Sequence, residues 1–303
     1  MKILAVVVTY NRLNLVKKTI ESLNNQKHKL DGIIVVDNGC SDGTSSWLDN
    51  QQNLIVIHQS NVGGSGGFFS GIKKAYELGA NWIWCMDDDV FPTEDCLNRL
   101  LNVSSDTKIG IRCPKRIQEK NTVYGEFLKL NLTNPFKPLH IARMNNSLSQ
   151  KNCFIEAMAF EGPLISRDVV QSIGLPNKNL FILYDDTDYS YRAILAGFKI
   201  LYVHDAILDK YNFTSNQTAR ELCKKNRWKS LYDCRNYTYF MHHYGKNVFI
   251  RYINSSFKMI SYQMHIIYNL LFKKGDIYEI KDVFKFLKSY WQGLHEKLSQ
   301  LDF

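Results

Sequence analysis

Apolar runs of strand length alternate with helical periodicity along the first hundred residues. The runs at 2–8, 32–36, 54–57 and 82–86 are rich in β-branched residues, which predicts four buried strands. Leu13, Val16 and Ile20 recur at helical spacing after the first run, and residues 68–78 form a second helical pattern. This alternation predicts an α/β fold, with a mostly parallel, Rossmann-like sheet flanked by helices.

Polar or glycine-rich residues follow each of these predicted strands. They are Thr9 after the first, Asp37 and Asn38 after the second, glycines within 63–67 after the third, and Asp87 after the fourth. Parallel strands bring their carboxyl ends to one edge of a sheet, where α/β proteins bind ligands. We therefore expect these residues to share one site.

The chain is less regular between residues 105 and 150. Its periodicity is poor there, and we expect strands and loops that cover the edge of the sheet. Order returns after this segment, because Ser166 can cap a short helix that ends at Gly174. The apolar run 199–203 then predicts a strand that ends at His204.

The remainder of the chain after residue 217 is predicted to be helical. One helix ends near Gly245, and two more are expected at about 248–272 and 279–298. The expected domains are therefore an α/β domain over residues 1–245 and a C-terminal helical extension over residues 246–303.

The basic residues are concentrated in the last third of the chain. The 303 residues carry a formal net charge of +9, of which residues 1–204 contribute +2 and residues 205–303 contribute +7. A basic surplus favours an anionic partner such as nucleic acid, anionic lipid or a phosphorylated small molecule. No nucleic-acid-binding motif accompanies this charge, so nucleic acid is not an expected partner.

Cysteine usage and apolar run length favour a cytoplasmic protein. The seven cysteines form no CxxC pair, which is typical of free thiols in a reducing compartment. The apolar run at residues 3–8 is shorter than the ~7–15 residues of a secretory signal. The later stretch 259–272 is shorter than the ~20 residues that span a bilayer.

Three adjacent carboxylates, Asp87, Asp88 and Asp89, follow the fourth predicted strand. They repel each other unless a cation lies between them, and Mg²⁺ and Mn²⁺ prefer oxygen ligands that they often share with phosphates. The alternative is a solvated acidic turn. The position directly after a buried strand favours the metal ion.

Residues 61–67 read Asn-Val-Gly-Gly-Ser-Gly-Gly and lead into a predicted helix. Glycines let backbone N–H groups approach a pyrophosphate, and a helix N-terminus favours its negative charge. The spacing is neither GxGxxG, because Phe69 occupies the last position, nor a P-loop. A flexible turn is an equally good interpretation.

A second acidic group, Asp185, Asp186 and Asp188, lies at the start of a predicted helix. Asp188 is expected to cap this helix, whereas Asp185 and Asp186 can supply a general base. A solitary histidine such as His204 is more often structural. Its predicted place at a strand end, in a chain with a carboxylate cluster, makes it a candidate metal ligand.

Five motifs resemble, in order, those of family 2 glycosyltransferases, which have the GT-A fold. They are Val-Thr-Tyr-Asn-Arg at 8–12, Val-Val-Asp-Asn-Gly-Cys-Ser-Asp-Gly-Thr at 35–44, Asn-Val-Gly-Gly-Ser-Gly-Gly-Phe at 61–68, Met-Asp-Asp-Asp at 86–89 and Asp-Asp-Thr-Asp-Tyr at 185–189. The third and fourth resemble the galactofuranosyl- and rhamnosyltransferase branch of bacterial polysaccharide synthesis. The resemblance covers residues 1 to about 245.

The resemblance implies a nucleotide-sugar half at about 1–105, an acceptor half at about 150–245, and a role for each candidate residue. Among the donor-binding residues, Thr9 and Asp37 would contact the nucleobase, with Arg12 and Asn38 nearby. Asn61, Gly63, Gly64, Gly66 and Gly67 would lie along the ribose and pyrophosphate, and Asp87 would lie near the ribose. Asp88 would also bind the donor. Asp89 and His204 would hold the metal ion. Asp186 would deprotonate the acceptor hydroxyl, and Asp185 would hold the acceptor sugar.

The implied activity is metal-dependent, inverting sugar transfer with Mn²⁺ or Mg²⁺. Galactofuranose or rhamnose would move from a UDP- or dTDP-linked donor to a glycan or lipid-linked acceptor, in the synthesis of capsule or O-antigen polysaccharide. A non-catalytic module that binds a sugar nucleotide or a glycan on the same fold is the alternative. The protein is either a monomer or a homo-oligomer.

The C-terminal helices interleave basic residues with aromatic and aliphatic ones. The basic residues include Lys258, Lys273, Lys274, Lys281, Lys285 and Lys288. One interpretation is peripheral attachment to the anionic inner face of the cell membrane. The other is a helical pair that packs on the core or on another subunit, with its lysines in solvent.

Overall fold

The computed structural model describes residues 1–103, 106–123, 126–145, 148–213, 217–272 and 277–301. The chain divides into two compact units. The first comprises Met1–Lys129, Ala142–Lys178 and Asp185–Asn212, and the second comprises Leu130–Ile141, Asn179–Tyr184 and Phe213–Phe303. All the residues predicted to form the site belong to the first unit, and the C-terminal helices belong to the second.

The strands are β1 (Ile3–Thr9), β2 (Gly32–Asp37), β3 (Leu54–His58), β4 (Trp82–Asp87), β5 (Val90–Pro92), β6 (Ile109–Gln118), β7 (Asn121–Val123), β8 (Phe127–Leu130), β9 (His140–Arg143), β10 (Cys153–Ile155), β11 (Leu164–Ser166) and β12 (Lys199–Lys210). The helices of the first unit are α1 (Leu13–Asn24), α2 (Thr44–Asp49), α3 (Gly63–Glu77), α4 (Cys96–Leu101), α5 (Arg167–Ile173) and α6 (Asp185–Leu195). The four predicted N-terminal strands are confirmed.

The described strands form a ten-stranded sheet in the order β10-β12-β6-β11-β4-β1-β2-β3, with β5 paired to β12 and β7 to β6. β1 is parallel to β2 and β4, β2 is parallel to β3, and β12 is parallel to β6. β11 runs antiparallel between β4 and β6. β8 and β9 pair separately with each other.

Helices cover both faces of this sheet, and alternate residues of β1 contact opposite layers. Val6 belongs to the layer that contains Ile72 of α3, whereas Val7 belongs to the layer that contains Ile20 of α1. A Cβ atom at Gly71 would lie 2.3 Å from Cγ1 of Val6. The glycine therefore allows α3 to pack closely on β1, which sets the position of the N-terminus of α3.

The prediction for residues 105–150 was wrong in one respect, because β6 lies inside the sheet rather than at its edge. Eight of its ten residues are buried, and they include Arg112, Lys115 and Arg116. Charged side chains inside a buried strand hide the apolar pattern by which strands are recognised.

Three further boundaries differ from the prediction. The glycines of 63–67 form the first turns of α3 rather than a loop before it. β12 continues past His204 to Lys210, through an irregular register between Val203 and Ile207. Helix α6 starts at Asp185, so Asp188 lies within its first turn and pairs with Arg192 at 2.9 Å instead of capping the helix.

The short helix after β11 begins and ends as predicted. The Ser166 hydroxyl accepts a hydrogen bond from the Val169 N–H, and Gly174 ends the helix. This local agreement follows from capping chemistry that the sequence displays directly.

The described residues of the second unit form three long helices: α7 (Ala219–Tyr244), α8 (Ser255–Phe272), which a π-helical turn at Ile250–Asn254 precedes, and α9 (Ile280–Leu294). They lie close to the predicted ranges. Tyr232, Ile266 and Phe286 form their shared core. Within the described ranges, no helix is long and apolar enough to cross a membrane. Lys273 and Lys274 lie outside the described residues.

Candidate active site

The site lies at the carboxyl edge of the central strands in the first unit. Thr9 is in register with Asp37 across β1 and β2, and Val8 is in register with Asp87 across β1 and β4. The polar residues at the ends of these strands are therefore neighbours, as the strand pattern predicts.

Asp88 connects the acidic triplet to the end of β1. Its carboxylate accepts hydrogen bonds of 2.7 Å from the Thr9 hydroxyl and 2.7 Å from Nη1 of Arg12, and the residue is 2% exposed. Asn11 adopts a left-handed backbone with φ of 53°, which turns the chain between Thr9 and Arg12. Burial raises the pKa of Asp88, although Arg12 and Thr9 oppose this shift.

Asp87 and Asp89 are held less completely. The Asp89 Oδ2 atom lies 3.7 Å from Arg12 and 3.8 Å from Lys210, while its Oδ1 atom is buried and has no hydrogen-bond partner among the described residues. Burial raises the pKa of both carboxyls. The charge of Asp89 also raises the pKa of Asp87. Arg12 and Lys210 therefore neutralise the negative charge of the triplet only in part.

Glu161 is connected to the triplet through Lys210, which pairs with both Glu161 and Asp89, and it was not predicted from the sequence. Its carboxylate pairs with Lys210 at 2.6 Å and with the buried Arg116, which also contacts Glu126 at 2.7 Å. Burial acts to raise the pKa of Glu161, but Arg116 and Lys210 outweigh it and lower the pKa to about 2. Its charge also contributes to the raised pKa of Asp87.

Gly162 fixes the chain next to Glu161. Its φ is +95°, and a Cβ atom there would lie 2.2 Å from Cδ1 of Leu208. Its carbonyl accepts a hydrogen bond of 2.9 Å from the Trp84 indole. The sequence signal for this position is an acidic residue next to a glycine, within a mostly apolar stretch.

Asp37 and Asn38 lie at the end of β2 with their polar atoms engaged by the protein. Asp37 accepts hydrogen bonds from Ser45 at 2.5 Å and from the Cys40 N–H at 2.9 Å, and lies 2.8 Å from His58. Burial acts to raise the pKa of Asp37, but these hydrogen bonds hold it below its usual value. His58 and Ser45 were not predicted as parts of this site.

Asn38 connects β2 to the glycine-rich start of α3. Its side-chain amide donates to the Gly63 carbonyl at 3.1 Å, and its carbonyl oxygen accepts from Gln59 at 2.9 Å. Asn61 accepts a hydrogen bond of 3.0 Å from the Gly63 N–H. These contacts hold the N-terminus of α3 against the edge of the sheet, where Gly64 and Gly66 continue the first turns. A Cβ atom at Gly67 would lie 2.4 Å from Cγ1 of Val8.

Asp185 and Asp186 form the acidic start of α6. Burial raises the pKa of Asp185 to about 6. Burial and the charge of Asp185 raise the pKa of Asp186 to about 7, and Glu161 adds to this shift. The charge of Glu161 therefore acts both on Asp186 and on Asp87 and Asp89 of the triplet.

His204 occupies a different position in the unit. Its Nδ1 atom lies 2.8 Å from the side-chain oxygen of Asn152, and five residues of β12 separate it from Lys210. Across the ranges that the structure describes, no group of three or more His, Cys, Asp or Glu side chains could hold a metal ion. The role of His204 as a metal ligand stays a prediction.

Comparisons with known proteins agree on one family. Residues 4–165, more than half of the chain, match the model described as Glycosyl transferase family 2. The chain is 29% identical over 199 residues to galactofuranosyltransferase GlfT1 of Mycolicibacterium smegmatis and 26% identical over 222 residues to GlfT1 of Mycobacterium tuberculosis. Each match covers 64% of this chain and 65% of the relative.

Solved structures agree on the fold. GalNAc-T7, crystallised with UDP, GalNAc and Mn²⁺, superposes with a TM-score of 0.58 at 14% identity and covers 89% of this chain and 57% of that one. Residues 1–349 of S. aureus TarS superpose with a TM-score of 0.54 at 13% identity and cover 98% of this chain and 82% of that one. The predicted GT-A fold is confirmed.

The ion pairs of Glu161 generate a stability prediction. With a pKa of about 2 in the folded state, against about 4.3 when unfolded, Glu161 stabilises the fold above pH 4.3 and loses this effect as the pH falls towards 2. We expect Glu161→Gln to lower the free energy of unfolding by about 3 kcal/mol at pH 7 and by clearly less at pH 3. Urea denaturation at both pH values measures this difference.

Glu77→Gln is the matched control, since the Glu77 side chain is 54% exposed on α3. We expect it to change the free energy of unfolding by less than about 0.5 kcal/mol at either pH. A Glu161→Gln variant as stable as the native chain at pH 7, or one equally destabilised at pH 7 and pH 3, would show that the ion pairs of Glu161 do not stabilise the fold in this way.

Proposed function

Because the chain belongs to glycosyl transferase family 2, we propose that it transfers a sugar from a nucleotide-sugar donor to a hydroxyl group of an acceptor. The observation that carries this proposal is that the charge of Glu161 acts on two acidic groups of the first unit. One is the triplet at the end of β4, in which Thr9 and Arg12 hold Asp88, and the other is the Asp185–Asp186 pair at the start of α6. The triplet suits a site for the donor, and the Asp185–Asp186 pair suits a base that deprotonates the acceptor.

The donor is proposed to bind along the edge formed by β1, β2 and α3. The first turns of α3 supply glycine N–H groups and a helix N-terminus, which favour a diphosphate. Asn38 and Asn61 hold this turn at the sheet edge. Thr9 and Asp37 are engaged by Asp88, Ser45 and His58, so we propose that they shape the nucleobase end of the site.

The residues around Asp89 fit a divalent cation shared with the donor. The buried Oδ1 atom of Asp89 has no hydrogen-bond donor within the described part of the chain, and an oxygen ligand of this kind suits Mn²⁺ or Mg²⁺. Such ions are often bound through one or two carboxylates, with substrate phosphates completing the set. When bound, the ion would neutralise charge on the departing diphosphate. GalNAc-T7, which has the same fold, was crystallised with Mn²⁺.

Asp186 is proposed as the general base of an inverting transfer. Its carboxylate takes the proton of the acceptor hydroxyl while the hydroxyl oxygen forms a bond to the anomeric carbon of the donor sugar. The bond from that carbon to the diphosphate oxygen breaks on the opposite face, and the nucleoside diphosphate leaves with the electron pair. A pKa of about 7 keeps Asp186 poised between its two protonation states near neutral pH. Asp185 is proposed to orient the acceptor sugar.

The relatives suggest the class of sugar and acceptor. Two are named galactofuranosyltransferases, and a third, 29% identical over 119 residues, is named undecaprenyl-phosphate mannosyltransferase and comes from Micrococcus luteus. We propose galactofuranose, or else rhamnose, as the sugar and a glycan or lipid-linked acceptor of capsule or O-antigen synthesis. An enzyme of this kind would act in the cytoplasm at the inner face of the cell membrane.

A donor screen with a base-deficient variant tests the activity. Purified protein is assayed with Mn²⁺ and a panel of UDP- and dTDP-sugars, and released nucleoside diphosphate is measured. We expect at least one donor to turn over, and Asp186→Asn to reduce transfer about 10²–10⁴-fold while donor affinity stays within about threefold, because a general base contributes that much to the rate alone.

Asp168→Asn is the matched control, because Asp168 is an exposed carboxylate in the first turn of α5. It should leave turnover unchanged. Binding of a nucleotide-sugar without turnover, alike in the native chain and in Asp186→Asn, would refute catalysis and indicate a binding module.

The raised pKa of Asp186 predicts the pH dependence of transfer. The base is active when ionised, so kcat/KM should fall about tenfold per pH unit below about 7 and level off above it. Asp185→Asn removes the neighbouring charge that raises this pKa, and should move the midpoint to lower pH. If kcat/KM is constant between pH 5 and 8, or if Asp185→Asn does not move the midpoint, Asp186 is not a general base with a pKa raised by Asp185.

A further inference from the structure

The outer side of α8 is apolar although it faces solvent. Phe257, Ile260, Met264, Ile267, Tyr268, Leu271 and Phe272 are exposed, with Met264 at 61% and Leu271 at 71%. The buried positions of the same helix are Ser255, Ile266 and Asn269, so large apolar side chains lie on both sides of it. Water-facing helix surfaces are normally polar, so this pattern indicates a partner that covers the outer side.

Helix α9 repeats this pattern. Ile280, Phe284, Leu287 and Trp291 lie on one side at helical spacing and are exposed, Phe284 to 69%. The inner side of α9 contains the buried Phe286, Ser289 and Gln292. Two helices of the second unit therefore present large side chains to solvent in ordered stripes.

The two stripes lie on one common surface. The Ser256 hydroxyl lies 2.7 Å from the Tyr290 hydroxyl, and Gln263 donates a hydrogen bond of 3.0 Å to the Val283 carbonyl, so α8 and α9 run antiparallel side by side. Both helices also pack on α7. On each helix, the stripe occupies the side turned away from α7 and next to the other helix. We call this surface the outer face of α8 and α9.

The charges of the outer face are basic. Helix α8 has no acidic residue, and Asp282, the one acidic residue of α9, is 1% exposed and pairs with Arg227 at 3.2 Å. Lys281 and Lys288 are exposed on α9, and Lys285 is partly exposed. Glu279, just before α9, pairs with Lys281 at 2.7 Å. An apolar surface with a basic margin is complementary to an anionic lipid interface.

We propose that the outer face of α8 and α9 binds the surface of an anionic phospholipid bilayer, with both helices lying parallel to it. Tyr268 and Trp291 suit this interface, because their rings are apolar and their polar atoms reach the headgroups. Self-association through the same face would place like-charged lysines opposite each other, which opposes a symmetric dimer. The proposal concerns the second unit and does not depend on the activity of the first.

Sedimentation of the full chain with lipid vesicles tests the proposal. Vesicles of phosphatidylcholine alone are compared with vesicles that also contain phosphatidylglycerol. We expect the protein to pellet with the anionic vesicles, and added salt to weaken this binding. Replacement of Met264, Phe284 and Trp291 together by Gln should lower the partition coefficient by at least about tenfold, since each side chain would lose contact with the acyl boundary.

Charge variants and a matched control sharpen the test. Lys285→Gln and Lys288→Gln should each weaken binding about fivefold with anionic vesicles only. Leu195→Gln replaces a side chain of similar exposure, 57%, at the end of α6 in the first unit, and should change nothing. Because every substituted apolar side chain is exposed, circular dichroism melting should show native stability for all variants.

Three outcomes would overturn the proposal. The first is that the native chain pellets with neither kind of vesicle. The second is that the triple Gln variant pellets as the native chain does. The third is that the native chain does not bind vesicles and sedimentation velocity shows that it is a dimer, whereas the triple Gln variant is a monomer. The outer face would then bind a second copy of the chain. Transfer to a soluble acceptor, measured on the same variants, separates these results from any failure of the transferase proposal.

Discussion

The site depends on buried and half-buried carboxylates that interact with one another and have few cationic partners among the described residues. The charge of Glu161 acts on Asp87 and Asp89 of the triplet and on Asp186. Arg12 and Lys210 reach part of this group, and Oδ1 of Asp89 remains without a donor among the described residues. The protein bears the electrostatic cost of this arrangement, which a diphosphate with its cation would relieve.

The same shortage of positive charge gives two aspartates different chemical states. Asp88 is tied to Thr9 and Arg12 and is suited to a fixed structural role. Asp186 has no cationic partner among the described residues and its pKa rises to about 7, which is the property of a base near neutral pH. The net charge of the chain has a separate origin, because most of its basic surplus follows residue 204, in the part that includes α8 and α9.

The sequence predicts those features that rest on local patterns. The strand ends at Thr9, Asp37 and Asp87 are visible because an apolar run stops at a polar residue. The position of β6 and the role of Glu161 are not, because buried charges disguise the strand and because the ion pairs join residues 45 and 49 positions apart. Pairings across such separations arise only once the sheet has formed. The composition of α8 and α9 shows that basic and apolar residues alternate there. Which of these residues face solvent is visible only from the packing of both helices on α7.

Isothermal titration calorimetry of UDP and dTDP, with and without Mn²⁺, tests the central claim most directly. We predict that Mn²⁺ tightens the binding of at least one nucleotide by tenfold or more, which corresponds to about 1.4 kcal/mol. We also predict that Asp89→Asn removes this gain in affinity. Equal affinities for both nucleotides with and without Mn²⁺ would contradict it.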